Sequence, residues 1–319
     1  YELTGDDKDR KCAENHMKSF ENRAVNKIGM DDHDIGFTFT LSTLAGYKAT
    51  GDEHLKDISI LAAKQLLGRF REKGGFIQLI FDENCKPEYY RLIIDCLMNI
   101  HLLYWAAEET GREDFFNAAK THFYTTINNA IRENGSAYQN IYFDQKTGEV
   151  VGKGTKQGVS DEACWSRGQA WVLYGLPLSY TRLKDNHILD VYEKAVEYFF
   201  GNSPEDFIPY WDFVFTSEDN QPRDSSAAAI AVCGLLEASR NMPAGDERAT
   251  LWKKMADGIM NSLIDNYTSK DYSDVEGLLM HGCYHVRANL GVDECMSWGD
   301  YFYMEAIMRY LNPDWRKYW

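Results

Sequence analysis

Two kinds of helical pattern alternate along the chain. One is apolar nearly all round, as in DDHDIGFTFTLSTLAGYKATG (31–51), RLIIDCLMNIHLLYWAAEETG (91–111), SDEACWSRGQAWVLYGLPLSY (160–180), RDSSAAAIAVCGLLEASR (223–240) and WGDYFYMEAIMRYLNP (298–313). Helices of that kind are buried on every side. The other kind carries one apolar stripe against charge, as in 52–73, 112–133, 187–200 and 246–265. Turn signals separate them at Thr50-Gly51, Thr110-Gly111, Asp185-Asn186 and Ala244-Gly245. Glycine after a helix accepts the left-handed conformation and stops it. Buried and surface helices therefore repeat as hairpins, and an all-α toroid follows, with an inner ring wrapped by an outer one. Strand patterns are scarce: GGFIQLIFD (74–82), AYQNIYFD (137–144) and FIPYWDFVF (207–215) read as short strands or extended loops. No Pro/Ser-rich linker interrupts the alternation, so residues 1–319 are expected to form a single domain.

An aspartate opens each apolar run: Asp34, Asp95, Asp161, Asp224 and Asp300. They recur at intervals of roughly 60–75 residues, the length of a two-helix repeat with its loops. In a toroid the inner helices run parallel, so these five acids are expected at one mouth. The ordinary role of each is an N-cap, accepting hydrogen bonds from first-turn amides. Trp165, Trp171, Trp211 and Trp298 lie in the same entry segments. Acids and indoles at one mouth suit a sugar. Two neighbouring carboxylates can divide the work of acid and base, because crowding two like charges raises one pKa.

Composition narrows the class. With 34 Lys+Arg against 49 Asp+Glu, the net charge is −15, which disfavours a nucleic-acid partner. No apolar run is long enough to span a membrane. The polar start YELTGDDKDRKCAEN does not read as a signal peptide, and cytoplasmic and periplasmic compartments both stay open. The seven cysteines include no C-x-x-C pair and read as free, mostly buried thiols. No His-x-x-x-His or dense Asp-x-Asp spacing points to a metal, and no phosphate-cradling or dinucleotide loop points to a cofactor. Oligomeric state has no signature in the sequence.

Seven motifs then occur together in order: HDIGFTF (33–39), RLIIDCLMN (91–99), Gln157-Gly158 with WSRGQAW (165–171), PYWDF (209–213), RDSSAAAI (223–230), YHVR (284–287) and WGDYFYMEAIMR (298–309). Across essentially the whole chain they closely resemble the unsaturated glucuronyl hydrolases of glycoside hydrolase family 88. The resemblance implies an (α/α)6 barrel and a bacterial enzyme of polysaccharide catabolism. Its substrate would be an oligosaccharide left by a lyase, with a 4,5-unsaturated uronic acid at the non-reducing end. The reaction would hydrate the C4=C5 double bond.

In that reading Asp95 matches the catalytic acid/base and Asp34 the second essential aspartate. Gln157 and Arg167 match positions around the unsaturated ring, Arg167 as a fork for the uronate carboxylate. Trp165 and Trp171 would supply stacking surface, with His33 and Tyr284 beside them. Three departures from the family stand out. Gln139 replaces a histidine, and Leu79-Ile80 stand where a tryptophan is usual. The first helical hairpin is expected to be partly missing from this chain. The related hydrolases of unsaturated rhamnogalacturonan fragments, and a non-catalytic oligosaccharide-binding remnant, are the alternatives.

Overall fold

A computed structural model describes residues 1–82 and 84–319. The chain is mostly helical and divides into two compact units. The first unit comprises 1–128, 141–152 and 316–319. The second comprises 129–140 and 153–315.

The first unit opens with α1 (Asp7–Asn26), capped by Asp6, whose side chain accepts from the Lys8 amide. The expected buried run 31–51 is one helical path in three pieces. These are α2 (Ile35–Phe39), a π-helical turn (Thr40–Leu44) and α3 (Ala45–Thr50), which stops at left-handed Gly51. Then α4 (Glu53–Leu67) lays down an apolar stripe of Leu55, Ile58, Ala62, Ala63 and Leu66. A small antiparallel pair follows, β1 (Phe70–Arg71) with β2 (Phe76–Ile77). Next come β3 (Arg91–Ile93), α5 (Cys96–Asn99), α6 (His101–Thr110), left-handed Gly111 and α7 (Glu113–Ala130). Residues Leu102–Ala106 of α6 are fully or nearly fully buried, as its all-round apolar pattern requires. Strand β3 is joined by β4 (Asn140–Phe143) and β5 (Val150–Gly154), strands that lie almost wholly in this unit. The C-terminal Trp319 packs edge-on against Phe37 of α2, with ring centroids 5.2 Å apart.

The second unit is built on two buried helices, α8 (Ser166–Leu183) and α10 (Ser225–Asn241). Every residue from Ser166 to Ser179 is buried. Around them pack the striped helices α9 (Asn186–Gly201) and α11 (Glu247–Asn266), with α12 (Ser297–Leu311) against α10. Asp185 and Asp246 cap α9 and α11. A hairpin of β6 (Gly282–His285) and β7 (Leu290–Glu294) precedes α12. Gly234 makes the α8–α10 contact possible, because a Cβ there would stand 2.2 Å from the Leu173 carbonyl oxygen. In the core, Arg309 is held between Glu237 and Glu305, at 3.0 Å from each.

FIPYWDFVF takes the second of its two readings, an extended loop: it makes only isolated bridges, Trp165 with Asp212 and Tyr210 with Arg223. Its run of large apolar residues reflects burial of Ile208, Tyr210, Trp211 and Phe213 in a loop. Conversely, the β6–β7 hairpin falls in a polar, glycine-bearing stretch with no alternation to announce it.

Gly234→Ala is expected to force α8 and α10 apart, at about 1–3 kcal/mol. Chemical denaturation checks this. An unchanged midpoint would mean that the helices do not depend on backbone-to-backbone approach.

Candidate active site

The five aspartates separate by what their carboxylates do. Asp224 caps α10, accepting from the Ala227 amide. Asp300 lies within the first turn of α12 and accepts from the amides of Leu278 and Leu279. Asp161 sits in a turn ahead of α8, whose N-cap position is Trp165. Asp34 and Asp95 occupy the N-cap positions of α2 and α5, yet neither makes a side-chain cap hydrogen bond. The acids expected to form one group of five therefore have three other local roles, and the remaining two share a cluster.

Asn99 organises that cluster from the first unit. Its Oδ1 accepts from the Phe37 amide at 2.7 Å, and its Nδ2 donates to Asp34 Oδ1 at 3.0 Å and to the Asp95 carbonyl at 3.3 Å. Both of its N–H donors go to fixing one aspartate against the backbone of the other. The Gly36 backbone lies so close that a Cβ would meet the Asn99 oxygen at 2.1 Å. This gives a physical reason for the glycine in HDIGF: only a bare backbone lets α2 and α5 approach so closely.

His33 is shut away beside these acids, 5% exposed. Its Nδ1 lies 2.9 Å from Asp32 and its Nε2 3.4 Å from Asp34. Burial strongly opposes a charged imidazole, but Asp34, Asp32 and Asp95 together outweigh it and push the pKa up to about 9. Burial likewise pushes Asp32 upward, and the hydrogen bond and charge of His33 more than reverse this. The pair of acids read from the sequence thus has a cation set among them. The ring of His33, a residue expected beside the substrate, faces the carboxylates of Asp32 and Asp34. Asp32, His33 and Asp34 also bring potential metal ligands within 4.8 Å of one another. A cavity of about 230 Å³ opens beside Asp34, lined also by Arg23, Met30, Asp32 and Thr38.

The other expected site residues lie in the second unit. Gln139 is buried and donates to Gln157 Oε1 at 2.6 Å, while its own Oε1 accepts from the Gln157 amide at 2.9 Å. Gln157 Nε2 donates to the Tyr284 carbonyl at 2.9 Å. Arg167 does not hold out an open fork. One nitrogen donates to Asp224 at 3.0 Å and to the Cys283 carbonyl, and the other to the Tyr284 carbonyl at 2.8 Å. Its faces lie 4.4 Å from the Trp165 ring and 5.0 Å from Trp298. Trp165 and Trp171 are buried, and Trp171 packs edge-on against Phe302 in the core. The exposed aromatic surface belongs instead to Tyr284, 47% accessible, with half-buried Trp298 behind it at 5.6 Å.

Asp32, Asn99 and Asp224 were missed as members of these clusters. Asn99 had a local signal, since it stands four residues after Asp95 and shares its helix face. Asp224 had none, because Arg167 is 57 residues away in sequence.

The profile of Glycosyl Hydrolase Family 88 matches residues 1–309. An unsaturated chondroitin disaccharide hydrolase of Streptococcus agalactiae is 43% identical over the whole chain, which covers 80% of that protein. The crystal structure of an unsaturated glucuronyl hydrolase from Bacillus sp. GL1 superposes with a TM-score of 0.96 at 35% identity, covering 100% of this chain and 85% of that one. A mutant of the Streptococcus agalactiae enzyme complexed with dGlcA-GalNAc6S matches with a TM-score of 0.87 at 39% identity, covering 100% and 79%.

Raised to about 9, the His33 group stabilises the fold fully below pH 6.5 and loses that contribution as pH rises through 9. The amount is on the order of 3 kcal/mol. Urea unfolding at about pH 6 and about pH 10 is expected to narrow the gap between wild type and His33→Gln by that order. Parallel pH profiles would show that the imidazole is not buried as a cation.

Proposed function

The chain belongs to glycosyl hydrolase family 88, and from that premise we propose that it removes a 4,5-unsaturated uronic acid from the non-reducing end of lyase-generated glycosaminoglycan disaccharides. The observation that carries this reading is the release of Asp34 and Asp95 from capping, together with their assembly around Asn99 and His33. The names of relatives at 41–43% identity favour chondroitin-type substrates. The finer architecture, an (α/α)6 toroid, is part of the same proposal, supported by TM-scores of 0.95 and 0.96 to crystal structures of unsaturated glucuronyl hydrolases.

Asp95 is the acid/base. It gives a proton to C4 of the enol ether and takes one from the water whose oxygen bonds to C5, so the carboxyl ends as it began. The C5 hemiketal opens, C5 becomes a ketone, and C1 is left as a hemiacetal that releases the second sugar. Asp34, aimed by Asn99, holds ring hydroxyls. Against the opposing effect of burial, the His33 imidazolium lowers the pKa of Asp32 through its hydrogen bond and charge. Within the second unit, the Tyr284 ring offers an exposed aromatic face and the Gln139–Gln157 amide pair neutral hydrogen-bonding edges. Among the described residues no helix is long and apolar enough to cross a membrane.

The test is loss of enol-ether absorbance when the protein meets unsaturated chondroitin, hyaluronan and pectic disaccharides. Loss with none would overturn the hydrolase, and loss with the pectic substrate alone would favour the rhamnogalacturonan reading. Asp95→Asn is expected to lower kcat by at least about 100-fold while substrate still binds. A retained rate would move the acid/base role elsewhere.

A further inference from the structure

Arg167 and Asp224 form an ion pair whose side chains are 4% and 0% exposed. Such a pair has lost its hydration, and it persists only where further hydrogen bonds complete it. Asp224 caps α10 through Ser226 and Ala227, and the other bonds of the pair lead toward one short strand. Arg167 donates to the carbonyls of Cys283 and Tyr284, and Asp224 accepts from the Cys283 amide at 3.4 Å. The Tyr284 carbonyl takes a second donor from Gln157, which occupies both its lone pairs. Immediately outside this tied backbone the Tyr284 side chain stands nearly half exposed. Beyond it the hairpin runs through a 3-10 turn and left-handed Asn289 to Leu290, which is 53% exposed.

We propose that Arg167 and Asp224 are positioning residues that act through Tyr284: their ion pair clamps the base of the β6–β7 hairpin and so aims the Tyr284 ring, which sets substrate specificity. The inference rests on the hydrolase reading for the word specificity, and on geometry alone for the clamp. Arginine suits the place because its planar fork reaches three acceptors at fixed angles while two indoles cover its faces. A lysine at the same place is a point charge that reaches fewer of them. The pair is also neutral overall, so it offers a uronate carboxylate little net attraction.

Two measurements test this. Hydrogen exchange of residues 282–294 is expected to quicken at least about tenfold in Arg167→Lys and Asp224→Asn, with the buried amides of α8 and α10 unchanged. Unchanged exchange in the hairpin overturns the clamp, whether or not the protein turns over substrate. A double-mutant cycle on the unsaturated disaccharide then asks how the clamp acts. Arg167→Lys and Tyr284→Ala are each expected to raise KM about tenfold, with kcat within about threefold, and the double variant no further than the worse single. Additive increases, about 100-fold together, would mean that Arg167 meets the sugar itself and overturn the positioning role. If Arg167→Lys does not fold, Gln157→Leu removes the other donor to the same carbonyl and gives the cycle a second form. Absence of turnover by wild type counts against the hydrolase reading, while the exchange result still decides the clamp.

Discussion

A charge taken out of water must meet its opposite within hydrogen-bonding reach, and both units are organised by that constraint. In the first, the His33 imidazolium is tolerable only because Asp32, Asp34 and Asp95 surround it. In the second, Arg167 is matched to Asp224, and Arg309 to Glu237 and Glu305. The Arg167–Asp224 and Arg309–Glu237 pairs cross between helices, so a local change of charge there becomes a change in how elements pack. The carboxylates of the first unit therefore come as a preset electrostatic group, with their orientations fixed by Asn99 and by the bare backbone at Gly36.

That grouping alters what two aspartates mean. Two carboxylates alone would repel, and the repulsion itself would be the device for holding a proton. Here the imidazolium offsets part of that repulsion, and the geometry supplies asymmetry. Asp34 accepts from Asn99 through its side chain, whereas Asp95 contributes its backbone carbonyl to the same amide. One carboxylate is aimed by its neighbour, and the other is anchored by its backbone. Division of labour between the two acids follows from hydrogen bonding as much as from charge.

Much of this was legible in the sequence because it is local and periodic. The apolar runs around 166–183 and 225–241 are buried as read, and the glycines at 51 and 111 end their helices in the left-handed conformation. Asp34 and Asp95 were found by position at helix entries. What distinguishes them from Asp224 and Asp300 is the fate of their side chains, decided by residues far off in sequence. Arg167 could be read as a carboxylate fork because arginine is suited to that task. That its donors go to Asp224, Cys283 and Tyr284 depends on contacts spanning 57 to 117 residues, which no local pattern records. The hairpin that Arg167 holds was missed for a related reason: its strands pair with each other and keep an exposed face, so neither alternation nor hydrophobicity marks them.

A chain of net charge −15 that acts on an anionic sugar poses an electrostatic problem. His33 and Arg167 are already matched by acids within their own clusters, and near Tyr284 the second unit carries an aromatic face, the paired amides of Gln139 and Gln157, and Arg287, which donates to the Gly158 carbonyl at 3.4 Å. Amides donate and accept without carrying charge, so their hydrogen bonds do not vary with pH over the range in which carboxylates and imidazoles titrate. Gln139 fits that logic, since it bonds Gln157 through neutral groups at 2.6 and 2.9 Å. Charge is concentrated around His33, Asp34 and Asp95 in the first unit, whereas the second presents an aromatic face and neutral amides around Tyr284.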